Sequence, residues 1–294
     1  MYDSAVEAIA AAPADGVFDL ATPPDAFVEI LNMLPHGAAV LIQKPLGTCI
    51  QQADEIRSIC RSRKLTAAVN FQLRFAPAIQ KAREMISAGI IGEVHDMEVR
   101  ITVFTPWHLW PFLEGMPRME ILYHSIHYVD LMRSFLGEPR AVWARTVRHP
   151  AVPKLASARS TIVLDYGDMV RSTITTNHGH NFGFHNQESY VKWEGTRGAI
   201  KTQLGLLMDY PRGVPDNYQF CVLEDGKSPV WRDIAIEGSW FPDGFIGTMG
   251  SLMQYLDGTA DTLSTSVEDA YRTMEVVEAA YESNDSGGTA VRHG

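Results

Sequence analysis

The sequence predicts an α/β unit followed by an α+β domain: a doubly wound parallel sheet first, then a large, mostly antiparallel open sheet with flanking helices. Three observations carry this. Short apolar runs alternate with helical segments over the first seventy residues, the order that builds parallel sheets. Longer runs of alternating polarity, joined by tight turns, fill the middle of the chain. A pair of helical segments then closes it. The 294 residues are enough for two domains, placed at 1–72 and 73–294.

Ser4 and Glu7 have capping-box spacing, so a short helix is expected over 5–12, ended near Pro13. Val17–Ala21 is a short apolar run stopped by Thr22-Pro23-Pro24, as a buried strand is. A helix from about Asp25 to Pro35, a strand over 38–42, a helix capped by Thr48 and a strand over 65–69 complete the alternation. The pattern changes near Asn70. A helix is expected over 77–87, a long half-exposed strand over 93–104, and a helix from Arg118 to Phe135 that stops at Gly137. Strand-like runs follow near 141–148, 159–166, 169–176, 187–194, 217–223 and 230–235. Helices are expected near 244–256 and 266–283, with a loosely held tail from Asn284.

Composition narrows the function. Hydrophobic residues make up 46% and charged residues 20%, a globular mixture, and no apolar stretch reaches the roughly 18 residues of a membrane span. The net charge of −10 opposes nucleic acid and anionic membranes as partners. Cys49, Cys60 and Cys221 form an odd, sparse set without metal-type spacing, which fits a reducing compartment. Met1-Tyr2-Asp3-Ser4 lacks a secretory signal, so a cytoplasmic location is expected.

Three groups of residues are able to carry chemistry. Lys44, in Gln43-Lys44-Pro45, sits at the exit of a buried parallel strand, where open α/β sheets bind ligands and where the Thr22-Pro23 loop also emerges. A lysine there can donate a hydrogen bond or proton to a reacting oxygen. By spacing alone it is equally a surface lysine in a turn. Glu120, His124 and His127 fall on one face of the expected helix, beside a stripe of Tyr123, His127 and Asp130. That pattern suits a proton shuttle or a metal; a buried histidine satisfied by a carbonyl is the bland alternative. His178 and His180 flank Gly179 in a segment whose glycines favour loop or substrate contacts over a metal site. Trp107 lies in a polar, aromatic connection that either caps a pocket or packs on a sheet edge. No nucleophile elbow, Walker loop, zinc-protease helix or glycine-rich dinucleotide fingerprint is present.

Gln43-Lys44-Pro45, Asn70 to Pro77, Gly89 to Val94 and Ile126 to Asp130 together resemble the Gfo/Idh/MocA family of oxidoreductases, the glucose-fructose oxidoreductase and inositol dehydrogenase group. The resemblance runs along nearly the whole chain. It implies a Rossmann-like domain, then an α+β domain whose open sheet makes homo-oligomers, and a nicotinamide-dependent dehydrogenase acting on a hydroxyl of a sugar, polyol or related small molecule. Lys44 matches the lysine of the family's Glu-Lys-Pro and His127 the histidine of its Asp-x-Gly-x-His, which implies catalytic roles for both. Gln43 replaces the glutamate, Tyr123 the aspartate, Ser125 the glycine, and Phe27 a histidine often found after the Thr22-Pro23 turn. Substrate contacts are expected from Arg74, Tyr123, His124, Trp107 and His180. Cofactor contacts, to NAD or NADP, are expected from Thr22, Pro23, Gln43, Lys44 and Pro45, and no metal is expected. In the family a strand, a glycine-rich turn and an acidic ribose-binding residue precede the helix with which this chain opens. The doubly wound sheet is therefore expected to be partial and the nucleotide site incomplete in the chain as given. Either the sequence is part of a longer protein or a partner covers the exposed edge. The alternatives are a non-catalytic sugar-binding or oligomerising protein of the same family and, third, a metal-dependent lyase or hydrolase.

Overall fold

In the computed structural model, which describes residues 2–292, two sheets are wrapped by seven α-helices among the described residues. Helix α1 (Ala5–Ala11) begins at Ser4, whose Oγ accepts the Glu7 N–H at 3.2 Å, while Glu7 reaches back to the amide of Asp3. The reciprocal cap is thus displaced by one residue from the ideal box. Strands β1 (Val17–Leu20), β2 (Ala39–Ile42) and β3 (Thr66–Val69) pair in parallel in the order β1-β2-β3. All four residues of the central strand β2 are buried, as expected where helices cover both faces of a parallel sheet.

The crossover helices depart in detail from expectation. Residues Pro24–Ala26 form a 3₁₀ turn, and α2 (Phe27–Met33) starts only after it, because Pro23 and Pro24 hold the chain extended at its entry. Thr48 does not cap α3 (Ile50–Ser62). Its hydroxyl and its N–H both donate to the Gln52 side-chain oxygen, at 2.9 and 2.7 Å, so the hydroxyl is spent as a donor and Cys49 takes the cap position.

After α4 (Pro77–Ser87) the chain enters β4 (Val94–Thr102), near the middle of the second sheet. The remaining strands are β5 (Ala141–Val147), β6 (Arg159–Asp165), β7 (Arg171–Asn177), β8 (Glu188–Gly195), β9 (Gly198–Gln203), β10 (Tyr218–Val222) and β11 (Arg232–Ile234), in the order β11-β10-β9-β8-β4-β7-β6-β5. Every pair is antiparallel except β4 with β7. On β4 the inward Met97, Val99 and Ile101 are buried, while Glu98 and Arg100 turn outward to Tyr190 and Glu188. Strand β9 was not expected from the sequence. It opens on Gly198, a residue depleted in strands, yet any Cβ there would lie 2.3 Å from the carbonyl oxygen of Cys221 on the neighbouring strand.

The predicted helix over 118–135 is not uniform. Residues Ile121–Ser125 form a π-helical turn that leads into α5 (Ile126–Leu136), which Gly137 ends at φ 81°. The wider turn breaks the single face on which spacing places Glu120, His124 and His127. Helix α6 (Asp243–Leu256) returns to the small sheet, where Leu252 and Met249 cover Leu41, Ala68 and Val17. Helix α7 (Val267–Ser286) packs on α3, α5 and β5. Its last turn extends beyond the expected end because Asn284 Oδ1 accepts the Thr146 N–H and Ser283 Oγ that of Ala144. No helix among the described residues is long and apolar enough to cross a membrane.

Candidate functional site

The carboxyl ends of β1, β2 and β3 are tied together by one side chain. Gln43 donates from its amide nitrogen to Asp19 at 3.3 Å and accepts from the Asn70 amide at 3.1 Å. A glutamate carboxylate would satisfy Asn70 but offers no proton to Asp19, so glutamine suits this clamp. The next residue, Lys44, leaves the clamp toward a cavity of about 310 Å³ that lies between the small sheet, the π turn, the end of β4 and the start of α6.

Lys44 Nζ donates to the carbonyl of Tyr123 at 2.6 Å, which leaves two of its three N–H groups for a ligand. With no carboxylate to offset burial, its pKa falls to about 8. His127 lines the same cavity, buried between the edges of Phe71 and Trp240, with Nδ1 sealed from solvent and unpartnered. Burial, and then the Lys44 charge, hold His127 well below the ordinary imidazole range. The ring is therefore neutral at pH 7, the form that accepts a proton.

His124, one turn earlier, also lines the cavity, its pKa depressed by burial and then by His178, Lys44 and His127. Its ring lies 4.8 Å from that of His178 and 5.1 Å from that of Trp107, centre to centre. The opposite wall is apolar and aromatic: Trp110 packs on Tyr210 at 5.4 Å, and Leu206, Leu207, Trp240 and Phe241 complete it. Faces of this kind pack against the C–H surfaces of a sugar or polyol while the polar wall takes its hydroxyls. No Asp, Glu or Arg lines the cavity.

The structure brings together Gln43, Lys44, Tyr123, His124 and His127. Trp107 stands behind the wall, edge-on to His124 and His178. His180 lies outside the lining, against Phe182. Thr22 and Pro23 are exposed on the loop after β1, and Pro45 is buried beside Lys44. Arg74 is not brought to the cavity. Its guanidinium makes two bonds to Asp130 at 2.6 and 2.5 Å, a third to Asp269 and a fourth to the Ser264 carbonyl. Sequence reasoning passed over Gln72, Thr105, Tyr210 and Trp240, which arrive from separate loops; the one available signal was aromatic residues beside proline at 210–211 and 240–242. Among the described residues no three His, Cys, Asp or Glu side chains converge as a metal-ligand set.

A parallel sheet whose strand ends feed a desolvated lysine and a neutral histidine into a cavity walled by a larger sheet is the arrangement in which open α/β proteins receive small ligands. Residues 79–201 match the GFO/IDH/MocA C-terminal domain. Over 290 residues the chain is 26% identical to D-apiose dehydrogenase of Rhizobium rhizogenes, covering 94% of this chain and 80% of that protein. Among solved structures, an oxidoreductase from Agrobacterium radiobacter in complex with NAD+, L-tartaric acid and magnesium superposes with a TM-score of 0.78 at 23% identity, over 98% of this chain and 82% of that one. An inositol dehydrogenase homolog from Azotobacter vinelandii, complexed with NADH and myo-inositol, superposes at 0.73 with 16% identity, over 98% and 81%. Residues 79–201 are thus similar to the C-terminal domain of the Gfo/Idh/MocA family, and the chain along nearly its whole length is similar to oxidoreductases.

Proposed function

We propose that the cavity is the substrate site of an NAD(P)-dependent dehydrogenase that oxidises a secondary hydroxyl of a sugar, polyol or related small molecule. The observation that carries this reading is the pairing of Lys44 with His127 in one desolvated cavity: a lysine with N–H groups to spare and a neutral histidine whose Nε2, among the described residues, is neither bonded nor sealed from solvent. These are the donor and the acceptor that oxidation of an alcohol requires. Lys44, held by the Tyr123 carbonyl, points its remaining N–H groups at the substrate oxygen and stabilises negative charge as it develops. His127 takes the hydroxyl proton. The aromatic wall orients the carbon skeleton and excludes water.

The residues also fit the reactive end of a nicotinamide cofactor. Gln43 and Lys44 stand at the carboxyl end of β2, where doubly wound sheets receive such ligands, with Thr22 and Pro23 on the adjoining loop and an unpartnered, buried Asn70 Oδ1 between. When bound, the nicotinamide supplies the hydride acceptor. Among the described residues no glycine-rich turn stands ready for its diphosphate, so this fit is confined to the nicotinamide end. The open outer face of the eight-stranded sheet, where Trp143 is 58% exposed, suits a homo-oligomer, which light scattering would test.

The experiment is to mix the purified chain with NAD+ or NADP+ and each of D-apiose, myo-inositol and L-tartrate, and to follow reduced-nicotinamide absorbance. Turnover of a polyhydroxylated substrate is the expected result. Calorimetry that finds substrate binding but no nucleotide binding would favour a non-catalytic sugar-binding role instead.

A further inference from the structure

Glu120 is fully buried, yet the proposed chemistry does not use it. Its carboxylate accepts hydrogen bonds from Ser125 Oγ at 2.8 Å and Thr176 Oγ1 at 2.9 Å, and from Ser160 Oγ. Burial alone would raise its pKa; the contact with His178 and the hydroxyl bonds hold it below the usual carboxylate range. Three hydroxyls from three segments are more than a stray core carboxyl needs. They fix the carboxylate as an anion in one orientation.

That anion faces a single imidazole. His178 Nε2 lies 3.3 Å from Glu120 Oε1, and its Nδ1 lies 3.2 Å from Thr105 Oγ1. Its Nδ1 is thus bonded to a protein hydroxyl, while Nε2, sealed from solvent and without a hydrogen bond, lies against the carboxylate, and His178 meets its other neighbours by its faces and edges. One of those neighbours is His124, at 4.8 Å between ring centres, and Trp107 closes on both rings edge-on. Both residues line the cavity, but His124 differs from His178 in that neither of its nitrogens has a protein partner or is sealed from solvent among the described residues. The charged and titratable groups that face this stack are Lys44 from the loop after β2, His127 from α5 and Glu120 from behind; Tyr281 of α7 bonds the Leu122 amide beside them.

We propose that Glu120 and His178 are positioning residues for His124: the buried carboxylate orients the His178 ring, and that ring holds His124 against the cavity with its nitrogens turned to a second substrate hydroxyl. The arrangement restores from behind the wall a carboxylate that the π turn lacks at position 123, where Tyr123 stands. It also gives the substrate a second hydroxyl contact, at His124, besides the one at Lys44 and His127. The substrate part rests on the dehydrogenase reading above; the positioning part does not.

Two measurements on the full chain test it. Proton NOE spectra of the aromatic rings, without ligand, are expected to show the His124 ring in one fixed contact with Trp107 in the natural protein and in an averaged one in Glu120→Gln, which keeps an oxygen for Ser125 and Thr176 and presents an amide to the Ser160 hydroxyl. A folded Glu120→Gln protein with an unchanged His124 spectrum overturns the proposal. His178→Asn serves as the second variant if Glu120→Gln does not fold, with the same expected change and the same contrary result. In turnover with whichever of the three polyhydroxylated compounds reacts, Glu120→Gln should raise KM by roughly tenfold, the worth of a lost hydrogen bond, with kcat changed far less. The KM effect should vanish in a His124→Asn background, because the two changes then remove one interaction. Equal effects in both backgrounds would show that Glu120 does not act through His124. Absence of turnover with a responsive His124 spectrum would reject the dehydrogenase reading and leave the positioning device standing.

Discussion

Asp130 and His127 stand one turn apart on α5, both buried, and they have opposite surroundings. Asp130 accepts two bonds from Arg74 and one from Thr273, while Arg74 and Arg133 share Asp269, and Arg133 continues to Glu138. Every charge in that network has a partner. His127 and Lys44 have between them one hydrogen bond, from Lys44 to a carbonyl, and no counter-charge. A buried group whose partners are all protein groups serves the fold; a buried group left short of partners is available to a ligand. By this criterion Arg74, though it lies in a segment that carries the family resemblance, belongs to the frame that joins the strand ends to α5 and α7.

The largest expected effect lies in the frame. Asp130→Ala takes from the buried Arg74 guanidinium its two-bond partner, leaving Asp269 as its one counter-charge, and should cost about 3 kcal/mol of stability, a large share of a typical total, read by chemical denaturation. Replacing both partners with Leu and Met should recover much of that loss, since two apolar side chains leave no orphaned charge. In the cavity, His127→Asn should lower kcat by about a hundredfold or more, while the melting temperature holds, because Nδ1 has no partner to lose.

The comparison is sharpened by pH. The alkaline limb of kcat/KM is expected near the Lys44 pKa of about 8, where the lysine loses the proton with which it polarises the substrate oxygen. For stability the sign runs the other way. Between about 8 and 10.5 the unfolded chain holds the Lys44 proton and the folded chain releases it, so that stability rises with pH across this window relative to a variant without the lysine. Lys44→Met should accordingly be more stable than the natural protein at pH 7, by at most about 3.5 kcal/mol at roughly 1.4 kcal/mol per pH unit, with the gap closing toward pH 10.5. The smallest effect is expected at the aromatic wall: Tyr210→Phe, which keeps the ring against Trp110, should change KM by only a few-fold, of order 1 kcal/mol, with kcat unaffected.

Much of this was legible because local rules act over short distances. The apolar run of β2 and the Pro45 turn mark Lys44 at a strand end, and the helical pattern after Arg118 brings His124 and His127 close together. What escaped depends on long-range contact. The π turn follows no residue pattern in Ile121–Ser125, yet it separates Glu120 from the two histidines it was grouped with. Strand β9 hides behind Gly198, whose role shows only when the Cys221 carbonyl is seen against it. Arg74 reads as a ligand contact until Asp130 and Asp269, 56 and 195 residues away along the chain, are found on its guanidinium. Trp240 and Tyr210 come to the cavity from loops marked in the sequence only by aromatic residues beside a proline.

The central claim is that Lys44 is held desolvated for chemistry at a net cost to the fold. Its most direct test is the hydride-transfer rate of Lys44→Met at pH 7, measured on protein shown by thermal unfolding to be folded. The expected result is a rate reduced by about 10²–10⁴ in a protein at least as stable as the natural one. A folded variant that retains most of its activity, or one that loses stability, would contradict the account.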